Sequence, residues 1–164
     1  IPSIHTDRLR LRPPTISDFS VYAEIALAEE GRFLLKRHTR EDAWHDFANM
    51  ATDWLLRGHG LWTVKRRADT ETIGFVLIGF EPGDHEPELG YMLVERARGN
   101  GYAFEAAQAA LRFAADSPGF DTLVSTIDPG NDTSLQLALK LGGQRDPIAE
   151  ESHNNEILVL RYSL

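Results

Sequence analysis

The segment Glu88–Ala115, ELGYMLVERARGNGYAFEAAQAALRFAA, decides the reading of the fold. It opens on an apolar stretch, Glu88–Val94, with strand character. It closes on Ala103, Ala106, Ala107, Ala109 and Ala110, which favour a helix to about Ala115. Between them lies Glu95-Arg96-Ala97-Arg98-Gly99-Asn100-Gly101. Without side chains, Gly99 and Gly101 let a ligand approach the backbone closely. The first amides of the helix have no intrahelical partner, and the helix dipole adds positive potential there. A strand–turn–helix of this kind suits an anion, and a pyrophosphate well. Arg96 and Arg98 add local positive charge. The plainer reading, a helix start with flexible glycines, fits the turn alone equally well. Two other phosphate motifs fail on spacing. A G-x-x-x-x-G-K-[ST] loop needs a Lys and a hydroxyl that are absent, and a dinucleotide fingerprint needs Gly where Phe104 stands.

The rest of the chain surrounds this unit. Leu9–Arg12 is a first strand, ended by Pro13-Pro14. A helix starts near Ser17 as its cap and puts Phe19, Tyr22, Ala23, Ala26 and Leu27 on one face. A second runs from about Thr39, paired with Asp42 as a capping box, to Arg57; its stripe is Ala43, Trp44, Phe47, Met50, Ala51, Trp54 and Leu55. Strands Leu61–Lys65 and Ile73–Phe80 flank a polar connection at Ala68–Glu71, and Pro82-Gly83-Asp84 marks a turn. After the alanine helix come a buried strand, Thr122–Ile127, a turn at Asp128–Asn131, and a short helix closed by Gly142-Gly143. A polar turn at Ser152–Asn155 leads to a last strand, Ile157–Tyr162. The order, β-α-α-β-β-β-α-β-α-β-β, mixes hairpins with one βαβ unit and predicts a mixed α/β (α+β) sheet with helices on its faces.

The 164 residues fit a single domain, 1–164, large enough for its own core. No apolar run approaches bilayer length, and Ile1–His5 does not read as a signal peptide. Absence of cysteine excludes disulfides, thiolate metal sites and a cysteine nucleophile, and suits a reducing cytoplasm. The six histidines (His5, His38, His45, His59, His85, His153) show no metal-ligand spacing, so no metal is expected. A net charge of −8 repels nucleic acid and suits a cationic amine, as well as plain solubility. Neither nucleic acid nor a membrane is expected as a partner, and the chain is expected to be a cytoplasmic monomer or homodimer.

Arg98-Gly99-Asn100-Gly101-Tyr102-Ala103 fits R-x-x-G-x-A and resembles the acyl-CoA loop of the GNAT acetyltransferases. Thr6-Asp7-Arg8-Leu9-Arg10-Leu11-Arg12-Pro13 resembles the opening of the branch that holds the ribosomal-protein N-terminal acetyltransferases. Glu88-Leu89-Gly90-Tyr91 is similar to that branch's strand before the loop, and Asn131-Asp132-Thr133-Ser134 with Lys140-Leu141-Gly142 to its N-x-x-S…K-L-G segment. These blocks occur in order over nearly the whole chain. The resemblance implies a mostly antiparallel, twisted sheet of about seven strands with about four helices. It also implies a V-shaped splay after the central strand.

The resemblance further implies an acetyl-CoA-dependent N-acetyltransferase acting on a primary amine, of a protein N-terminus or a small molecule, by direct attack in a ternary complex. The alternative is a catalytically silent acyl-CoA-binding sensor or scaffold. The pantetheine arm would pair with Met92, Leu93 and Val94, the pyrophosphate with the loop from Arg98 through Gly99, Asn100, Gly101 and Tyr102 to Ala103, and Asn131 with the CoA arm. Asn131 equally suits an N-cap. Glu88, on one strand face with Gly90, Met92 and Val94, is the candidate base; a solvated strand-end carboxylate is its other reading. Many members carry a Tyr acid where this chain has Ala138, which makes Ser134 the substitute candidate; a first-turn helix Ser is the plainer reading, and a CoA thiolate can also leave unaided, with no acid. Gly143 stands where Phe is common. The loop Glu29–His38 and the turn Glu150–Asn155 are expected to wall the acceptor, with Glu150 and Glu151 attracting its charge.

Overall fold

Leu9 and Leu11 are wholly buried while Arg10 between them is exposed, the two-residue period of a half-buried strand. The computed structural model describes residues 1–33, 39–81 and 83–164. In it this strand is β2 (Leu9–Arg12), which follows β1 (Ile4–His5). The others are β3 (Leu61–Arg66), β4 (Thr72–Gly79), β5 (Glu88–Leu93), β6 (Thr122–Ile127), β7 (Gln144–Arg145) and β8 (Leu158–Ser163). They form one sheet in the order β1-β2-β3-β4-β5-β6-β8-β7. Every pairing is antiparallel except β5 with β6. The eight strands among the described residues exceed the expected seven, and β1 and β7, at two residues each, are too short to carry a hydrophobic period.

The parallel pair is where the sheet opens. β5 and β6 register only at Glu88 and Val124, with the Val124 N–H donating to Pro87 O at 3.1 Å. Ser125 Oγ then donates to Leu89 O at 2.7 Å, where a ladder bond would otherwise stand. Beyond Leu89 the two strands share no register pair among the described residues. This is the V-shaped splay implied by the resemblance.

The helices are α1 (Phe19–Ala26), α2 (Arg40–Leu56), α3 (Tyr102–Ala115), α4 (Asp132–Lys140) and α5 (Pro147–Ser152). Ser17 does not cap α1, because it lies inside a 3-10 turn, Ile16–Asp18. Thr15 and Asp18 make the capping box, and Asp18 also takes a bidentate pair from Arg12 at 2.7 Å and a bond from Thr63 Oγ1 at 3.0 Å. Burial works against the Asp18 charge, yet Arg12 and Thr15 hold its pKa below the ordinary value. Thr39 does cap α2, accepting from Asp42 N at 3.1 Å. Of the predicted α2 stripe, Ala43, Phe47, Met50 and Trp54 are buried, whereas Leu55 is 83% exposed. One residue past Trp54 is a turn of about 100°, which carries Leu55 off the stripe. The fifth helix is not among the expected elements, which place only a polar turn from Ser152 in this stretch. Pro147 at its start and Asp146, which accepts from Ala149 N at 3.0 Å, set it up as local caps without a long apolar run.

Rings fill the core. Phe75 of β4 meets Tyr22 at 5.3 Å and Phe47 at 6.2 Å between ring centres, and Trp62 of β3 meets Trp54 at 4.5 Å and Phe113 at 5.1 Å. Gly143 has no room for a larger residue. A Cβ there would lie 2.8 Å from Ala138 O and 3.0 Å from Tyr162 Cε1. Among the described residues, no helix is long and apolar enough to cross a membrane.

Candidate active site

The turn between β5 and α3 takes its shape from its glycines. Gly99 and Gly101 have φ of +76° and +77°, in the left-handed region that other residues resist. A Cβ on Gly99 would meet nothing within 4 Å, so the surface above it is open. Glu105 N–H makes the first turn's bond to Gly101 O at 3.1 Å, which leaves the amides of Tyr102, Ala103 and Phe104 without partners along the helix. The Asn100 side chain turns inward, donating to Arg98 O at 2.9 Å and Ala97 O at 3.3 Å, and so stiffens the loop. Arg98 Nε reaches back to Leu93 O at 3.3 Å.

Two arginines differ from the expectation. Arg96 is not available to a phosphate, because its guanidinium is held by Glu71 at 2.8 Å and by Glu24. Arg8, which the sequence reading passed over, clamps the loop instead. Its Nη1 donates to Asn100 O at 2.8 Å, its Nε pairs with Glu105 at 2.7 Å, and its guanidinium lies 4.7 Å above the Tyr102 ring.

Backbone parity sets which groups line the opening. Pro87 O faces β6, while Val94 N–H donates back to Ile73 O at 3.0 Å on the β4 side. Successive residues of a strand turn their amides to alternate sides. Leu89, Tyr91 and Leu93 therefore turn their N–H and C=O groups to the β6 side, Leu89 where Ser125 still meets it and Tyr91 and Leu93 in the opening. Of Met92, Leu93 and Val94, only Leu93 does so.

Side chains alternate across the sheet. Phe75 faces α1 and α2 and pairs with Met92, and Gly79 pairs with Glu88, so Glu88, Gly90 and Met92 share that face. Tyr91 points to the other face, where α4 packs. Glu88 Oε2 accepts from Thr126 Oγ1 at 2.8 Å. Burial, and after it the negative charges of Asp84 and Glu81, push the Glu88 pKa up from 4.5 to about 7, against the Thr126 bond. The carboxyl lines a cavity of about 380 Å³ with Asp84, Val124, Thr126, Ile148 and Arg161. A larger groove of about 770 Å³, between the N-terminal residues and α3, holds Glu105, whose pKa is lowered. That carboxylate is a poor base at neutral pH, and the smaller cavity is the better candidate.

The expected cation attraction by Glu150 is not what the structure shows. Glu150 is 5% exposed, paired with Arg145 at 2.5 Å, and accepts from Val159 N at 3.2 Å. Glu151 is exposed. Of the expected acceptor loop, residues 34–38, including His38, lie outside the described residues, as does Pro82 of the predicted turn. Arg161, also in the cavity wall, is held by Asp146 at 2.8 Å and Glu86 at 2.8 Å.

On the other face, Asn131 caps α4, its Oδ1 accepting from Ser134 N at 3.2 Å. Its amide nitrogen is left to donate elsewhere. Ser134 Oγ donates to Tyr91 Oη at 3.3 Å, and Tyr91 Oη donates to Ser134 O at 3.0 Å. Tyr91 was quoted only as part of a motif; its odd position on β5 is the signal that places it opposite Glu88. Ala138 is wholly buried and supplies no hydroxyl. Among the described residues no group of side chains is arranged to hold a metal.

The family model "Acetyltransferase (GNAT) domain" matches residues 8–144. The crystal structure of an acetyltransferase from Agrobacterium tumefaciens superposes with a TM-score of 0.92 at 34% identity, over 100% of this chain and 95% of that one. The uncharacterised protein YkkB of Bacillus subtilis is 36% identical over 113 residues, 65% of this chain and 61% of YkkB, so this chain covers less than two thirds of that relative. The crystal structure of a GNAT-family acetyltransferase from Bacillus anthracis shares the fold, with a TM-score of 0.77 at 21% identity over 99% of this chain and 98% of that one.

Proposed function

The chain belongs to the GNAT acetyltransferase family, an acetyl-CoA-dependent acyltransferase family, and we propose that it passes an acetyl group directly to a primary amine in a ternary complex. The amine belongs to a protein N-terminus or a small molecule. The observation that carries the reading is Glu88, a carboxyl pushed up to about 7 by burial at the closed end of the opening between β5 and β6. A base poised near the working pH is what an amine, protonated in water, requires.

The residues fit the co-substrate. The open surface over Gly99 and the unpaired amides of Tyr102 and Ala103 suit a pyrophosphate. The Leu93 amide, turned into the opening, suits the pantetheine arm, and with Met92 and Val94 flanking it the strand supplies an apolar wall. Arg98 and Asn100 hold the loop's shape, and Asn131 has an amide free for the CoA arm. Acetyl-CoA brings an activated thioester. Tyr91 or Leu93 N–H can polarise its carbonyl oxygen, since both face the opening. Glu88 takes the amine's proton, and its bond from Thr126 fixes the carboxyl's aim. With no Cys, and Ser134 bonded to a phenol instead of a base, the chain has no activated nucleophile for an acyl-enzyme among the described residues.

A thiol-release screen over peptides, polyamines and aminoglycosides, run with calorimetry of acetyl-CoA binding, tests this. Turnover with at least one primary amine is expected. Tight acetyl-CoA binding without turnover on any of them would favour the silent sensor or scaffold.

A further inference from the structure

A direct displacement through an open sheet has two sides. The amine and its base occupy one face, and the departing sulfur leaves toward the other. Glu88 and Tyr91 are three residues apart on β5, so their side chains stand on opposite faces of the same strand at the same opening. We propose that the Tyr91 hydroxyl donates a hydrogen bond to the departing thiolate and is the catalytic leaving-group donor. The proposal rests on the transfer reading above.

The other hydroxyls on that face are already committed. Ser125 Oγ donates to Leu89 O at 2.7 Å and lies 3.0 Å from the Tyr162 hydroxyl. Ser134 Oγ spends its proton on Tyr91 Oη. Tyr91, like Ser125, gives its proton to a backbone carbonyl, here Ser134 O at 3.0 Å. That carbonyl, in the first turn of α4, has its own helical partner further along the helix. Swinging the O–H from Ser134 O to sulfur therefore gives up one neutral bond for one to an anion, which is stronger. Ser134 Oγ keeps donating to the phenol oxygen meanwhile and makes it a better donor. Ser134 is then a positioning residue.

The step balances without another reagent. The amine, having already lost its ammonium proton to water, bonds the carbonyl carbon through its nitrogen, a second proton passes from that nitrogen to Glu88, and the C–S bond breaks with its electron pair on sulfur. Tyr91 keeps its proton, because a phenol ordinarily titrates near 10 and a thiol near 8.5. Burial pushes the Tyr91 phenol up further. Among the described residues, the groups that act on Tyr91 are Ser134 and Tyr162, neither of them charged at neutral pH. The thiolate takes a proton from water after release.

The test is the thiol of bound CoA, titrated by its thiolate absorbance in the protein–CoA complex. With Tyr91 intact, the bound thiol should titrate about one pH unit lower than in Tyr91→Phe, the equivalent of roughly tenfold. The kcat of Tyr91→Phe should fall on the order of 10- to 100-fold, with CoA affinity held within about twofold. Ser134→Ala should retain most of the thiol shift. Equal thiol titrations in the original and Tyr91→Phe proteins, both binding CoA, would overturn the proposal. So would a shift lost in Ser134→Ala and kept in Tyr91→Phe. If Tyr91→Phe does not fold, fluorotyrosine incorporated at Tyr91 keeps the packing and strengthens the donor; the bound thiol must then titrate lower still, and an unmoved titration overturns the proposal. Failure of the unaltered protein to bind CoA would instead bring down the transfer reading itself.

Discussion

Glu88→Gln should make the protein more stable at pH 8 and much less so at pH 5, where only a small part of the cost of the Glu88 charge has set in. In the folded state Glu88 titrates at about 7, against an ordinary 4.5 for a carboxyl in the unfolded chain. Between those values the folded protein holds a proton that the unfolded chain has lost, so raising the pH favours unfolding. Above 7 the full cost applies, and the gap from 4.5 to about 7 corresponds to ~3 kcal/mol. Glu88 lines a cavity open to water, and screening reduces that figure to about 1–3 kcal/mol. Gln keeps the shape and can still accept from Thr126, so it removes the charge without removing the bond. For a chain of this size the gain at pH 8 is a rise of roughly 3–10 °C in Tm. Urea unfolding of both proteins at pH 5 and pH 8 measures it. A stability difference that stays constant between the two pH values would refute the reasoning, because only a titrating carboxyl makes it depend on pH. The same substitution should abolish the rise of kcat/KM through about pH 7 while leaving CoA affinity in place, since the base acts on the amine and not on the nucleotide.

Gly101→Val should weaken acetyl-CoA binding sharply. It should also cost about 1–2 kcal/mol of stability, because φ is +77° there, so calorimetry is to be read beside a melting curve. Phe75→Ala, at the meeting of Tyr22 and Phe47, should destabilise by about 3–5 kcal/mol in urea unfolding, without a selective effect on KM for acetyl-CoA. Intact mass after mixing with acetyl-CoA and no acceptor should show an unmodified chain; a stoichiometric acetyl adduct that later passes to an added amine would sink direct transfer.

The fold was legible wherever one residue's neighbours in sequence decide its environment. The strand Thr122–Ile127 has the bounds that its β-branched run predicts, and Thr39 caps α2 because capping is a contact three residues long. Strands of two residues and a helix made by Asp146 and Pro147 carry no period to read. Leu55 failed because hydrophobic spacing shows that a stripe exists but not how wide the surface facing it is.

For the site, the sequence identified the residue types and left their partners hidden. Glu88 was singled out from its place before the turn, but the shift that suits it to the proposed role comes from burial and from Asp84 and Glu81. Arg96 and Arg98 looked alike on the page, one residue apart. Only the tertiary fold brings Glu24 and Glu71 to Arg96 and neutralises it, while Arg8, some ninety residues upstream, takes over the loop. Such pairings cannot be read from spacing, because each joins segments whose distance is set by the sheet order.

Tyr91 is the instructive middle case, since half of its role was readable. Strand parity alone puts it across β5 from Glu88, and the sequence supplies parity once the strand is assigned. What parity does not supply is the gap for it to act in. That gap exists because β5 and β6 pair at a single position and Ser125 takes up Leu89 O in place of the next ladder bond. Base and leaving-group donor on opposite faces are useful only where the strand between them has a free edge. The parallel junction, the least stably paired in this sheet, is therefore also the place where the chemistry can be housed.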